Sequence, residues 1–131
     1  LRRQAEFAER RASIARCYVE HLRSASPLVT FQAEILESRH ARHLFVVRLP
    51  LDRMTIDRDM LLTQLHERNV GAVIHYAPLH HQAIYGTQSY LEVTDNLCDA
   101  LLTLPIRVSM TLDEAEYCAR QLSDLLDYHS H

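Results

Sequence analysis

The sequence predicts an α+β domain: a small three-stranded, mainly antiparallel sheet covered by helices and led by a long N-terminal helix. Three observations carry this expectation. Apolar residues recur at spacings of three and four from Leu1 to Leu22. The run HLFVVRL at 43–49 is β-branched and aromatic and is bounded by Pro50. Thr111, with Glu114 three residues on, is a capping box opening a last amphipathic helix.

Each element follows in chain order. Leu1, Ala5, Ala8, Ala12, Ala15, Val19 and Leu22 draw one apolar stripe, with arginine and glutamate on the other sides. No capping residue precedes Leu1, so this helix is expected to begin further upstream in a longer protein, the alternative being a frayed start. Ser24 to Pro27 ends it, and 28–31 reads as a short strand. A polar stretch leads to the strand at 43–49, which is expected to be buried on both faces. Thr55 or Asp57 caps a helix with Leu61, Leu62 and Leu65 inward, and Asn69 suits a left-handed position at its end. Residues 70–75 read as the third strand. From Pro78 the pattern is helical again: about one turn over 81–85, then a helix over 95–102 behind a Thr94 cap. Pro105 interrupts the chain, and the final helix presents Ala115, Cys118, Leu122 and Leu125. Residues 128–131 are expected to be a loose polar tail. The 131 residues are read as a single domain, without internal repeats or low-complexity linkers.

Composition narrows the function. The apolar fraction of 47% and charged fraction of 24% are those of an ordinary soluble globule. No apolar run is long enough to span a bilayer and no signal-peptide pattern opens the chain, so a cytoplasmic location without membrane contact is expected. A net charge of −3 argues against nucleic acid, which needs a concentrated basic face. All 14 basic residues counted as Lys+Arg are arginine. A chain without lysine cannot form a Schiff base through its own side chains, nor supply a phosphate-loop lysine. With Gly71 and Gly86 the only glycines, glycine-rich phosphate loops are excluded as well. Cys17, Cys98 and Cys118 are widely spaced within apolar helical patterns and read as buried thiols, not as a disulfide framework.

The densest polar constellation is His75-Tyr76-Ala77-Pro78-Leu79-His80-His81, with Tyr85 shortly after. It falls where a buried strand leaves the sheet, and such loops commonly carry binding groups on a rigid scaffold. Pro78 restricts itself and Ala77, which aims the preceding rings reproducibly. A zinc site from His75, His80 and His81 would need further ligands and an oriented second shell, so no metal is assigned. Packing at a strand–helix corner and a role facing a ligand or interface both remain open. His40 and His43 read as solvated loop residues, and Asp57, Arg58 and Asp59 as complements to a helix dipole.

Several segments together resemble the C-terminal part of the DegT/DnrJ/StrS-type aminotransferases. They are RRASIARCYVEHL, then HLFVVRL followed by DRDMLLTQLHERNVGAVIHYAPLHHQAIY, then LLTLPIRVSMTLDEAEYCARQL. They run in the family's order from about Leu1 to Leu126, and HYAPLH is the most specific piece. Two departures stand out: Arg107 and Val108 replace an aromatic residue and a proline, and Asn69 stands where glycine is common.

The resemblance implies a pyridoxal-phosphate (PLP) enzyme of fold type I that moves an amino group, usually from glutamate, onto a nucleotide-linked keto-sugar. It implies that PLP is held on a lysine of a large N-terminal domain and that active sites lie at a homodimer interface. This chain would then be the small C-terminal domain. It would pack on the missing large domain through its first helix and close one side of the substrate cleft. His75, Tyr76, His80 and Tyr85 are the rim residues expected on this reading; no catalytic, cofactor-binding or metal residue is assigned, and no activity is expected of the chain alone. The alternative is a freestanding binding or regulatory module. The first reading expects an exposed apolar patch on the first helix, the second a polar surface there.

Overall fold

A computed structural model describes residues 2–35, 37–85 and 89–131. Among the described residues the architecture is α+β, a three-stranded antiparallel sheet with four α-helices, the class expected. Leu1 and Gly86 lie outside the described residues.

The first helix, α1, runs Gln4–Ala25 and has no side-chain cap at its start. Its buried residues are Ile14, Ala15, Tyr18 and Leu22. The expected stripe is therefore rotated. Ala5 is exposed and Ala8, Ala12 and Val19 are half-buried, because the larger Ile14 and Tyr18 remove more apolar surface from water than alanine can. The helix closes with the Ser26 N–H donating to the Leu22 carbonyl at 2.8 Å, and the buried Ser26 hydroxyl meets the Ser123 hydroxyl at 3.1 Å. Pro27 follows, where the helix cannot continue.

The strands are β1 Thr30–Phe31, β2 Phe45–Arg48 and β3 Leu101–Leu104, in spatial order β1-β2-β3. The register sets Phe31 opposite Val47, Phe45 opposite Leu104 and Val47 opposite Leu102. Phe45, Val47, Leu102 and Leu104 are buried on the core face. Tyr18 of α1 stacks at a tilt on Phe45, ring centres 4.8 Å apart. β2 is not buried on both faces throughout: Arg48 is exposed, as pleating alternates the side chains.

Two expectations are corrected here. The third strand is Leu101–Leu104, part of which was read as helix, and not 70–75. The latter segment contributes one antiparallel bridge, Val73 to Thr103, along the free edge of β3. A four-residue run such as LLTL, three leucines and a threonine, has no periodicity that separates strand from helix; pairing with β2 decides it. Correspondingly the helix α3 is Glu92–Cys98, begins after Leu91 and holds Thr94 inside its first turn.

The helix α2, Arg58–Glu67, is capped by Asp57, whose carboxylate accepts from the Met60 N–H at 2.8 Å. Leu61 and Leu65 are buried and Leu62 half-buried. Asn69 takes φ 58°, and Val70 N–H returns to the Leu65 carbonyl at 2.9 Å, the left-handed closure expected of it. The last helix, α4, runs Leu112–Tyr128 and lies against α1. Its capping box is complete: Glu114 N–H to Thr111 Oγ1 at 3.1 Å, and Thr111 N–H to Glu114 Oε2 at 2.7 Å. Ala115, Cys118, Leu122 and Leu125 are all buried.

The end of the chain is not a loose tail. His129 is buried, its Nε2 lies 3.0 Å from Gln64 Oε1, and its carbonyl accepts from the Thr55 N–H at 2.8 Å. Ser130 bridges Met54, and the His131 N–H donates to the Arg53 carbonyl at 3.0 Å. Polar residues at a terminus are ordered when the backbone they meet needs partners. No helix among the described residues is long and apolar enough to cross a membrane.

Candidate functional site

The bridge between Val73 and Thr103 delivers the chain from the sheet edge into the segment that carries His75 and Tyr76. Pro78 then opens a 3-10 turn, Leu79–His81, followed by a second one, Ala83–Tyr85. In place of the single helical turn expected over 81–85 the chain makes two shorter ones, the first beginning at Leu79. The rings of His75 and Tyr76 meet edge to face with centres 4.8 Å apart. Tyr76 and Tyr85 are exposed, at 76% and 57%, whereas His75 is half-buried. Its Nδ1 is buried with no hydrogen-bond partner among the described residues, as is Thr103 Oγ1. An unpartnered buried polar atom costs about 1–3 kcal/mol, so a partner from outside the chain would be worth having at His75.

His80 turns the other way. Its Nε2 contacts Asp95 Oδ1 at 2.9 Å, and His81 Nε2 contacts the same oxygen at 2.8 Å. The side chains of His80 and Asp95 are 13% and 12% exposed, and that of His81 is 50%. Asp95 sits in the first turn of α3, and its Oδ2 accepts from the Leu91 N–H at 2.7 Å. Burial by itself would raise the Asp95 pKa. The Leu91 N–H and the two histidines outweigh it and hold the carboxyl below its ordinary range. His75 stands apart from this cluster, so the trio of histidines weighed as a zinc site is not assembled. The third member of the cluster is Asp95. It carries no signal at fixed spacing from the histidines, since its approach depends on where the whole segment 82–94 brings α3.

The rest of the chain adds little chemistry. Cys118 is buried and Cys17 and Cys98 are half-buried; all three are free. Burial pushes each thiol pKa up, which keeps them as poor nucleophiles and poor metal ligands. His43 is exposed as expected, while His40 accepts from the Arg42 N–H through Nδ1 at 2.9 Å. Arg58 does more than complement a dipole, since its guanidinium donates to the Cys98 carbonyl and ties α2 to the end of α3. PLP chemistry of the aminotransferase kind needs a lysine ε-amine, and this sequence has none. The residues present therefore do not fit a covalent PLP site.

Among the described residues the exposed large apolar side chains are not on α1, so the apolar patch expected on the first helix is not found there. Its exposed face is mostly polar, carrying Glu6, Glu9, Arg16, Glu20 and Arg23, as the freestanding-module reading expected, because the larger apolar residues Ile14, Tyr18 and Leu22 turn into this domain's own core. Tyr76, Leu79, Ile84, Tyr85, Tyr90 and Val93 are each more than half exposed and crowd into one stretch of sequence around the histidines.

A family model described as the DegT/DnrJ/EryC1/StrS aminotransferase family matches residues 1–123, and the chain belongs to that family. A UDP-4-amino-4-deoxy-L-arabinose–oxoglutarate aminotransferase of Shewanella sediminis is 25% identical over 96% of this chain and 35% of its own length. Among solved structures, Helicobacter pylori PseC, an aminotransferase involved in the biosynthesis of pseudoaminic acid, superposes with a TM-score of 0.87. It is 19% identical over 98% of this chain and 35% of its own. The PLP form of a sugar aminotransferase from Streptococcus pneumoniae gives 0.83 at 19% identity, over 98% and 33%. The chain thus spans about a third of the length of the relatives it matches.

Proposed function

We propose that this chain is the small C-terminal domain of a PLP-dependent aminotransferase that aminates a nucleotide-linked keto-sugar, with PLP held by a large domain outside the 131 residues. The observation that carries the reading is the pairing of family membership with the absence of lysine. Where the family's PLP chemistry is kept, the amine that holds PLP covalently belongs to another segment, since this one has no lysine. The substrate class rests on the Shewanella relative, whose name describes a UDP-linked amino sugar. In the working enzyme, a homodimer in this reading and cytoplasmic, the loop with His75, Tyr76, His80 and Tyr85 lines one side of the substrate cleft.

Each rim residue has a part that its environment supports. Tyr76 and Tyr85 present phenol edges to the outside, suited to sugar hydroxyls or a base face. His75 offers a buried Nδ1 without a partner among the described residues. His80, engaged with Asp95, holds the turn in place and acts as a positioning residue. None of the four is proposed to take part in the chemistry of the cofactor.

The test is direct. PLP added to the purified chain is expected to give neither the absorbance of a lysine-bound cofactor nor amino transfer from glutamate. Either signal would overturn the proposal. The longer protein encoded with the upstream sequence is expected to give both; a longer protein without them would refute the assignment of a PLP-holding large domain.

A further inference from the structure

We propose that His80, His81 and Asp95 form a binding site for one divalent cation of the zinc class, clipping the turn Leu79–His81 to the first turn of α3. This goes beyond the aminotransferase reading and does not rest on it, since the three side chains belong to this chain alone.

Convergence is the first support. His80 Nε2 and His81 Nε2 lie 2.9 Å and 2.8 Å from the same Asp95 oxygen, and the three ligand atoms all fall within 4.8 Å of one another. In a tetrahedral site with bonds of about 2.0–2.1 Å, ligand atoms stand about 3.3 Å apart. The two observed edges need to open by only about half an ångström to admit an ion. Adjacent residues of a chain seldom aim at one point. Here the tight turn sets the two rings 4.3 Å apart, edge to face, with both Nε2 atoms on the carboxylate.

Preorganisation is the second. The Leu91 N–H holds Asp95 Oδ2 at 2.7 Å, leaving Oδ1 for the cation, which is the orienting contact a metal-bound carboxylate usually has. His80 and Asp95 are mostly covered, while His81 is half exposed, so one side stays open for entry and for water at the remaining position.

Donor type selects the ion. Two imidazoles and one carboxylate suit zinc and its neighbours cobalt, nickel and copper; magnesium and calcium demand oxygen. Binding requires the lone pair of each Nε2, so each ring carries its proton on Nδ1 in the loaded state, in place of the hydrogen bond to Asp95. A competing set near Cys17 does not converge. His21 offers Nδ1 to the Cys17 thiol at 3.7 Å and Nε2 to Glu116 at 3.6 Å, from opposite sides of its ring.

The experiment uses the chelator-stripped protein titrated with zinc by calorimetry and with cobalt by absorption. One ion per chain is expected, with cobalt bands of nitrogen and oxygen coordination and no thiolate charge-transfer band. His81→Gln, at a half-exposed position that leaves the fold intact by circular dichroism, is expected to weaken zinc binding by about tenfold or more. Asp95→Asn is expected to do the same, and Cys17→Ser to change nothing. Zinc should raise the melting temperature of the parent protein and not of His81→Gln. Absence of stoichiometric binding, binding that survives His81→Gln, or binding that Cys17→Ser removes would each overturn the site.

Discussion

The Tyr18 hydroxyl donates to the Pro105 carbonyl at 2.6 Å, joining the middle of α1 to the turn that follows β3. Tyr18 is fully buried, and its ring also lies on Phe45. One side chain therefore serves helix, sheet and turn. The hydrogen bond lets a phenol sit in the core without an orphaned donor.

Tyr18→Phe keeps the ring and removes the donor, leaving the Pro105 carbonyl unpaired. A loss of about 1–2 kcal/mol in urea denaturation is expected, with the slope unchanged. Tyr18→Ala opens a cavity as well and should cost about 3–5 kcal/mol.

The same residue sets the alkaline limit. Burial pushes the Tyr18 phenol well above its ordinary pKa, so the folded protein holds its proton more tightly than the unfolded chain does. Stability is fully present below the unfolded tyrosine pKa of about 10 and falls as pH rises beyond it. In Tyr18→Phe the fall above that pH should be shallower; an unchanged alkaline limb counts against the burial argument.

Asp95 acts at the other end of the scale. Its folded pKa is depressed, so its contribution is complete above the unfolded value of about 4 and is lost as pH falls through the folded one. Thermal melts of metal-free protein between neutral and acid pH should show Asp95→Asn with a flatter acid limb than the parent.

His129 pins the chain end to Gln64 and Thr55. His129→Ala leaves the Gln64 carbonyl oxygen without that partner in a covered site and should cost about 1–3 kcal/mol. Thr111→Ala, which deletes one half of the capping box, should cost about 1 kcal/mol. Measured by denaturation in the double variant, the two losses should add, since they act at opposite ends of α4.

In the longer enzyme proposed above, Tyr76→Ala should lower kcat/KM by about tenfold, a loss typical of one missing contact, without moving the melting temperature. Tyr76 is 76% exposed, so little folding energy depends on it. A variant of unchanged kcat/KM would remove Tyr76 from the cleft rim.

Local signals recovered much of this architecture. Asp57, Asn69, Thr111 and Glu114 announce helix ends because capping acts within a few residues. Phe45 to Arg48 announces a strand through its residue types. The stripe on α1 was misplaced by about one position because alanines were given the weight of Ile14 and Tyr18. β3 was not legible, since three leucines and a threonine become a strand only by meeting Phe45–Arg48, far back in the chain.

What the amino-acid order determined unaided is the helix ends at Asp57, Asn69 and Thr111, the α+β class, the HYAPLH segment and the absence of any lysine to hold a cofactor, because each depends on residue identity or short spacing. Tertiary structure alone decided that Leu101–Leu104 is the third strand, that His129 closes onto Gln64, and that Asp95 meets His80 and His81. Those contacts join distant parts of the chain, and their geometry exists only after the core around Tyr18 and Phe45 has folded.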